Sequence, residues 1–105
     1  METKYGISEI DWKKVYSVFS HFPHIEKAII FGSRVKGTYK AFSDVDIALI
    51  GDFLDLNDLL NLKTEIDDLL LPYEFDFCIY KELKNKELKS HIDRIGVVIY
   101  NTQIK

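Results

Sequence analysis

Four short apolar runs set the terms on which this chain can fold. "IEKAIIF" (25–31), "DVDIALI" (44–50), "EFDFCIY" (74–80) and "VVIY" (97–100) have the length and composition of buried or half-buried strands. The segments between them carry a helical period instead. Ser8, with Asp11 three residues on, makes a cap-like start for a helix whose inner face is Trp12, Val15, Tyr16, Phe19 and Phe22, closed by Pro23. Asp55 or Asn57 caps a second helix through Leu56, Leu59, Leu60, Lys63, Ile66, Leu69 and Leu70, with Lys63 at the edge of the stripe and Pro72 as its stop. A third spans 83–95 through Leu83, Leu88, Ile92 and Ile95, and Gly96 ends it. After Gly32, residues 33–40 form a short helix or turn. Strands and helices in alternation dictate an α/β fold, one mixed four-stranded sheet with helices packed against it.

At 105 residues, with 47% of them hydrophobic, the chain suits one domain over 1–105 with a real core. No window approaches the roughly 20 apolar residues of a membrane span. The N-terminus lacks the basic and apolar blocks of a signal peptide. Cys78 is alone, so there is no disulfide framework. The expected location is the cytoplasm. The net charge of −3 conceals an asymmetry, because residues 44–76 hold ten acidic groups and one basic group, Lys63. Most of that block reads as the solvated face of a helix. Lys81, Lys84, Lys86 and Lys89 are too dilute for more than a weak phosphate or partner patch, and no basic stripe marks a duplex-binding surface.

The acidic residues at the strand heads need a separate explanation. Residues i and i+2 of a strand share a face about 6.6 Å apart, so Asp44 and Asp46 point together, as do Glu74 and Asp76. If these strands are neighbours, three or four carboxylates converge and raise one another's pKa values. A divalent cation removes that repulsion. Mg²⁺ suits a few carboxylates, several waters and a substrate's phosphates, and two such ions about 4 Å apart suit an in-line phosphoryl or nucleotidyl displacement. Upstream, Gly32 allows close approach of backbone to a ligand, and Ser33 offers a hydroxyl and an N–H to phosphate. Taken alone, a Gly-Ser pair is ordinarily a turn and a D-x-D an exposed strand end. The joint pattern is more specific: strand, Gly-Ser, ten residues, D-x-D at the head of a second strand, and a third acidic strand. It describes a site for a nucleoside triphosphate with Mg²⁺. His21, His24 and His91 form no metal spacing, Cys78 reads as core, Tyr39 as an exposed residue in the gap, and Glu74 as either a spare ligand or an edge residue.

Gly32-Ser33, the ten-residue gap and Asp44-Val45-Asp46 resemble the signature of the DNA polymerase beta-like nucleotidyltransferases. The fuller string "FGSRVKGTYKAFSDVDIALI" is similar to the minimal nucleotidyltransferase branch, and the likeness runs through "EFDFCIY" to "HIDRIGVVIY". That resemblance implies nucleotidyl transfer, with release of pyrophosphate, from a nucleoside triphosphate, ATP in this branch. It implies that Gly32 and Ser33 hold the triphosphate, that Asp44 and Asp46 bind Mg²⁺, and that Asp76 helps bind the metal and activates the acceptor hydroxyl. It also implies a place near phosphate for Arg34, whose residue chemistry alone fits a surface charge equally well; Lys36 and Lys40 read as surface. Little chain remains after the core to grip an acceptor, so a partner or a second copy of the chain is expected to present it. The minimal branch commonly pairs with a HEPN-domain protein, and its antitoxin members add AMP to a partner tyrosine; an AMP-transferring antitoxin is therefore the leading expectation. The alternatives are a transferase acting on a small hydroxyl compound such as an aminoglycoside, with a homo-oligomer building the acceptor site, and a non-catalytic antitoxin that acts by contact.

Overall fold

The computed structural model describes residues 3–40 and 43–102. Its centre is a four-stranded sheet of β3 (Lys27–Phe31), β4 (Val45–Ile50), β5 (Phe75–Ile79) and β6 (Val97–Asn101). The spatial order is β5-β4-β3-β6; β3 runs antiparallel to both its neighbours, and β4 and β5 are parallel. The sheet is thus mixed, as the alternation of strands and helices requires. The parallel step from β4 to β5 is bridged by helix α3 (Leu56–Asp68) and the step from β5 to β6 by α4 (Lys86–Ile95). Helix α1 (Glu9–Phe19) precedes the sheet, and a single turn, α2 (Ser33–Lys36), follows β3.

Period-two alternation divides the side chains between two faces. Ala28 and Ile30, Val45, Ile47 and Leu49, and Phe75, Phe77 and Ile79 are buried against α1 and α3, where Trp12, Val15, Val18, Phe19, Leu62 and Ile66 meet them. Phe19 stands edge-on to both Phe77 and Tyr100, which fixes α1 over the middle of the sheet. The opposite face holds a smaller cluster of Phe31, Ala48 and Ile92, joined by Ile29, Cys78 and Leu88, and α4 covers it. Gly96 permits that packing, because a Cβ there would meet the Ile92 carbonyl and the Ile29 side chain.

Several local expectations are corrected. Helix α1 ends at Phe19, not at Pro23; tight turns from His21 to Val18 and from Phe22 to Phe19 take over, and Phe22 is buried from the turn. The stripe read for α3 holds in part: Ile66 is buried and Leu59 and Leu69 pack on the core, but Leu62, outside that stripe, is buried too, whereas Leu56, Leu60 and Leu70 are exposed. Its cap is Asp55, in a reciprocal box with Asp58. Helix α4 starts at Lys86, because Asn85 accepts from the Glu87 and Leu88 N–H groups, and residues 80–82 form a 3₁₀ turn. A two-stranded hairpin, β1 (Thr3–Lys4) with β2 (Ile7–Ser8), was not expected. Its turn residues Tyr5 and Gly6 both have positive φ, 57° and 80°, the backbone of a tight hairpin turn. Among the described residues, no helix is long and apolar enough to cross a membrane.

Candidate active site

The sheet register assembles the acidic residues. Phe31, the last residue of β3, is paired with Asp46 on β4, and Asp46 is paired with Asp76 on β5. Directly opposed residues share a face, so Phe31, Asp46 and Asp76 lie in one row across three strands. That is the α4 face, at the end of the sheet where α4 gives way to β6. Asp44 sits just before β4 and is exposed. Asp46 is half-buried and Asp76 exposed. The chain turns at Gly32 with φ +84°, a left-handed conformation that favours glycine. A Cβ on Gly32 would also run into the Asp46 carboxylate. The Gly-Ser turn and the central aspartate are therefore packed against each other, and glycine is needed for backbone angle and space alike. Ser33 opens α2 beside them, half-exposed.

The electrostatics follow from that row. The Asp46 carboxyl is pushed above the usual carboxylate range, first by burial and then by the negative charges of Asp76 and Asp44; the Arg34 guanidinium pulls it partly back. Cys78, two residues along β5 on the same face, is pushed to about 11 by burial and by Asp76 and Asp46. It is half-buried and packs against the smaller core cluster, as its apolar neighbours in sequence suggest, and it does so beside the aspartates. Glu74 takes the edge role: its Oε1 accepts from Lys63 Nζ at 2.8 Å, and the same ammonium donates to the Phe75 carbonyl at 2.8 Å. Among the described residues, no group of three or more His, Cys, Asp or Glu side chains is placed to hold a metal ion. Asp46 and its charged neighbours Asp76 and Asp44 are hard oxygen donors, the chemistry that suits Mg²⁺ with several waters retained, and their mutual repulsion is what such an ion would relieve.

Arg34 is not a surface charge. It is 3% exposed, donates to the Tyr5 carbonyl and to the Ser43 carbonyl, each at 2.8 Å, and lies between the rings of Tyr39 and Tyr73 at 5.0 and 5.7 Å. It ties the N-terminal hairpin to the residue just before Asp44, and its charge still reaches Asp46. Tyr39 is partly exposed, as expected, but is engaged with Arg34. His21 and His24 face carboxylates of α3, Glu65 and Asp58, each at 2.8 Å. Sequence reasoning passed over His91, whose ring stands edge-on to Phe31 at 6.1 Å. Only the packing of α4 on β3 brings it there, so no sequence spacing announces it. Cys78 was within reach of the sequence, since it follows Asp76 at the strand period.

A family model described as polymerase beta, nucleotidyltransferase matches residues 13–105. The protein MJ0435 of Methanocaldococcus jannaschii, named by inference as a protein adenylyltransferase, is 32% identical over 93 residues, covering 84% of this chain and 97% of its own. A toxin–antitoxin crystal structure with AMP-PNP superposes with a TM-score of 0.70 at 23% identity, over 92% of this chain and 76% of the other. The complex of a tri-AMPylated Shewanella oneidensis HEPN toxin with its MNT antitoxin gives a TM-score of 0.65 at 20% identity, over 90% and 73%. At those identities the two structures speak for a shared fold.

Proposed function

From the premise that this chain belongs to the polymerase beta nucleotidyltransferase family, and is a nucleotidyltransferase by that membership, we propose that it moves an adenylyl group from ATP to a tyrosine hydroxyl of a HEPN-type partner. In that reading it is the antitoxin of a toxin–antitoxin pair. The observation that carries it is the packing of the Gly32 turn against Asp46, with Asp76 in register alongside. A nucleotidyl transfer needs a phosphate-binding backbone next to carboxylates that hold divalent cations, and these are the two halves of that arrangement. The adenylyl choice draws support from the adenylyltransferase name of the archaeal relative, and the partner from the HEPN toxin complex.

Asp44 and Asp46 would hold Mg²⁺, with Asp76 helping to hold it, and the ion would supply neutralisation of the charge that develops on the phosphate oxygens. Gly32 and Ser33 present N–H groups and a hydroxyl to the phosphate chain. Asp76, exposed at the end of the row, accepts the proton of the acceptor hydroxyl. That oxygen forms a bond to the α-phosphorus, the bond from the α-phosphorus to the bridging oxygen breaks, and pyrophosphate leaves with the electron pair. Arg34 fixes the Ser43 carbonyl, and so the approach of Asp44, while its charge favours the ionised form of Asp46.

The test is transfer of label from α-labelled ATP to a purified HEPN-domain protein of the same host, with Mg²⁺, beside the double variant Asp44→Asn/Asp46→Asn. The expected result is a labelled partner that gains adenylyl mass on a tyrosine, and loss of label with the variant or with chelator. A partner silenced equally by wild type and variant, without label, would replace this reading with the contact-only antitoxin. Label on small hydroxyl compounds alone would replace it with the small-molecule transferase.

A further inference from the structure

We propose that the N-terminal hairpin, β1–β2, is a working part of the active site: its Tyr5-Gly6 turn positions Asp44, by holding Arg34 against the residue before it. Tyr5 and Gly6 act as positioning residues. The inference rests on the nucleotidyltransferase reading and deepens it.

Of the three aspartates, Asp46 and Asp76 are placed by the sheet, through pairing with Phe31 and with each other. Asp44 lies one residue before β4, outside that register, and is exposed. It needs another device to hold it. The Ser43 carbonyl belongs to the peptide group that also carries the Asp44 N–H, so fixing that carbonyl fixes the plane from which Asp44 departs. Arg34 Nη2 donates to it at 2.8 Å. On the other side of the same guanidinium, Nη1 donates to the Tyr5 carbonyl, also at 2.8 Å. A guanidinium is planar and rigid, so where one nitrogen is fixed the other follows. The place of the Ser43 carbonyl is therefore set from the hairpin. A tight turn closes the loop from below: the Lys40 N–H donates to Ser43 Oγ at 2.8 Å and the Ser43 N–H to the Lys40 carbonyl at 3.0 Å.

The hairpin is shaped around this task. Gly6 has φ +80°, and a Cβ on it would lie 2.6 Å from Arg34 Nη1 and 2.8 Å from the ring of Tyr39, which itself covers Arg34. The turn backbone thus touches both. Tyr5 sits at φ 57°, a left-handed conformation that costs a non-glycine residue free energy, and its carbonyl is the one that Arg34 takes. Strands of two residues do not hold such a turn unaided. The anchors are Trp12, whose Nε1 donates to the Lys4 carbonyl at 3.0 Å, and Ile7, which is fully buried. Tyr73 closes the arrangement, with its ring on Arg34 and its hydroxyl donating to Asp11 of α1 at 3.2 Å. Hairpin, α1 and Arg34 make one unit, and the bond to Ser43 passes its position on to Asp44.

Calorimetric titration of the full chain with Mg²⁺, in the presence of an ATP analogue with a non-hydrolysable α–β bridge, tests this. The variants are Gly6→Ala, which pushes on Arg34 and Tyr39; Trp12→Phe, which frees the Lys4 carbonyl and leaves Arg34 untouched; Arg34→Lys, which keeps the charge but cannot span two carbonyls; and the double variant Gly6→Ala/Arg34→Lys. Urea melts establish that each is folded, and Trp12→Phe decides the matter if Gly6→Ala does not fold. Each single variant is expected to lose roughly tenfold in Mg²⁺ affinity. Gly6→Ala and Trp12→Phe are expected to change the affinity for the analogue in EDTA by less than twofold. The double variant is expected to lose no more than Arg34→Lys alone, because both changes break one link. In ¹⁵N correlation spectra the Ser43 and Asp44 amides should shift in every variant and the Asp76 amide should not. Unchanged Mg²⁺ affinity in a folded hairpin variant, with only a lower urea midpoint, would overturn the proposal and leave the nucleotidyltransferase reading standing. Losses that multiply in the double variant would overturn the route through Arg34. A wild type that binds neither Mg²⁺ nor the analogue would overturn both.

Discussion

Asp46 has the most to lose in this molecule. It is half-buried, it faces Asp76 and Asp44, and its carboxyl is raised above the ordinary range by burial first and by those two charges next. The sign of the linkage follows. The folded state keeps the proton at pH values where the unfolded chain has released it, so stability falls as pH rises from the ordinary aspartate value through the raised folded value, and stays lowered above it. Asp46→Asn removes that penalty. The variant is expected to melt a few degrees higher than wild type at pH 7 in the absence of metal, with no difference at pH 3, and to lose the rise in Tm that Mg²⁺ gives the wild type; scanning calorimetry at the two pH values with and without Mg²⁺ reads all three. Arg34 is the converse case, a buried charge that satisfies two backbone carbonyls. Arg34→Ala leaves both carbonyls without their donor and empties a space between two tyrosine rings, so it is expected to cost about 3 kcal/mol in urea denaturation. Cys78, at about 11, is about one part in a thousand thiolate at pH 8. Its alkylation in the native state is expected to be far slower than in the urea-unfolded chain and to rise steeply above pH 10.

At the scale of elements, α3 shows how far the sequence could be read. Leucine recurs so often between 54 and 71 that a helical period is satisfied by a broad stripe through Leu56, Leu59, Leu60, Lys63, Ile66, Leu69 and Leu70, and equally by a narrower one through Leu59, Leu62 and Ile66. Contacts from outside the helix decide between them. Asp55 and Asp58 lock the first turn, and Lys63 leans over the edge of β5 to Glu74 and the Phe75 carbonyl, which turns Leu62 inward to full burial. Leu62→Ala is therefore expected to cost about 2–5 kcal/mol and Leu60→Ala less than about 0.5 kcal/mol; paired urea melts measure the difference, and equal costs would return the stripe to its sequence-based position. The four sheet strands were legible because their composition and alternation are local. So was the Asp44-Asp46 pair, and Asp76 through the period of its strand. The β1–β2 hairpin was not, since two-residue strands carry no periodicity and its signal is one Tyr-Gly turn. Arg34's burial and His91's position were not either. Each depends on partners far away in sequence, Tyr5 for one and Phe31 for the other.

The whole molecule is a sheet with unequal faces, and this asymmetry links stability to function. The α1–α3 face carries the large core, from Ile7 and Trp12 to Phe75 and Ile79. Among the described residues, the α4 face has three buried residues, Phe31, Ala48 and Ile92, and ends in a row of carboxylates. Fewer buried apolar groups hold α4 than hold α1 or α3, so α4 should open by local fluctuation well below the free energy of global unfolding. Amide exchange in Lys86–Ile95 is expected to be faster than in β3 and β4, whose amides should exchange only through global unfolding. A ligand bound between the aspartate row and the Gly32 turn adds RT ln(1 + [L]/Kd) to global unfolding, about 2.7 kcal/mol at one hundred times Kd, so with Mg²⁺ and an ATP analogue at that ratio exchange in β3 and β4 should slow by roughly a hundredfold. If α4 is already as protected as β4 without ligand, the site face is as rigid as the core face.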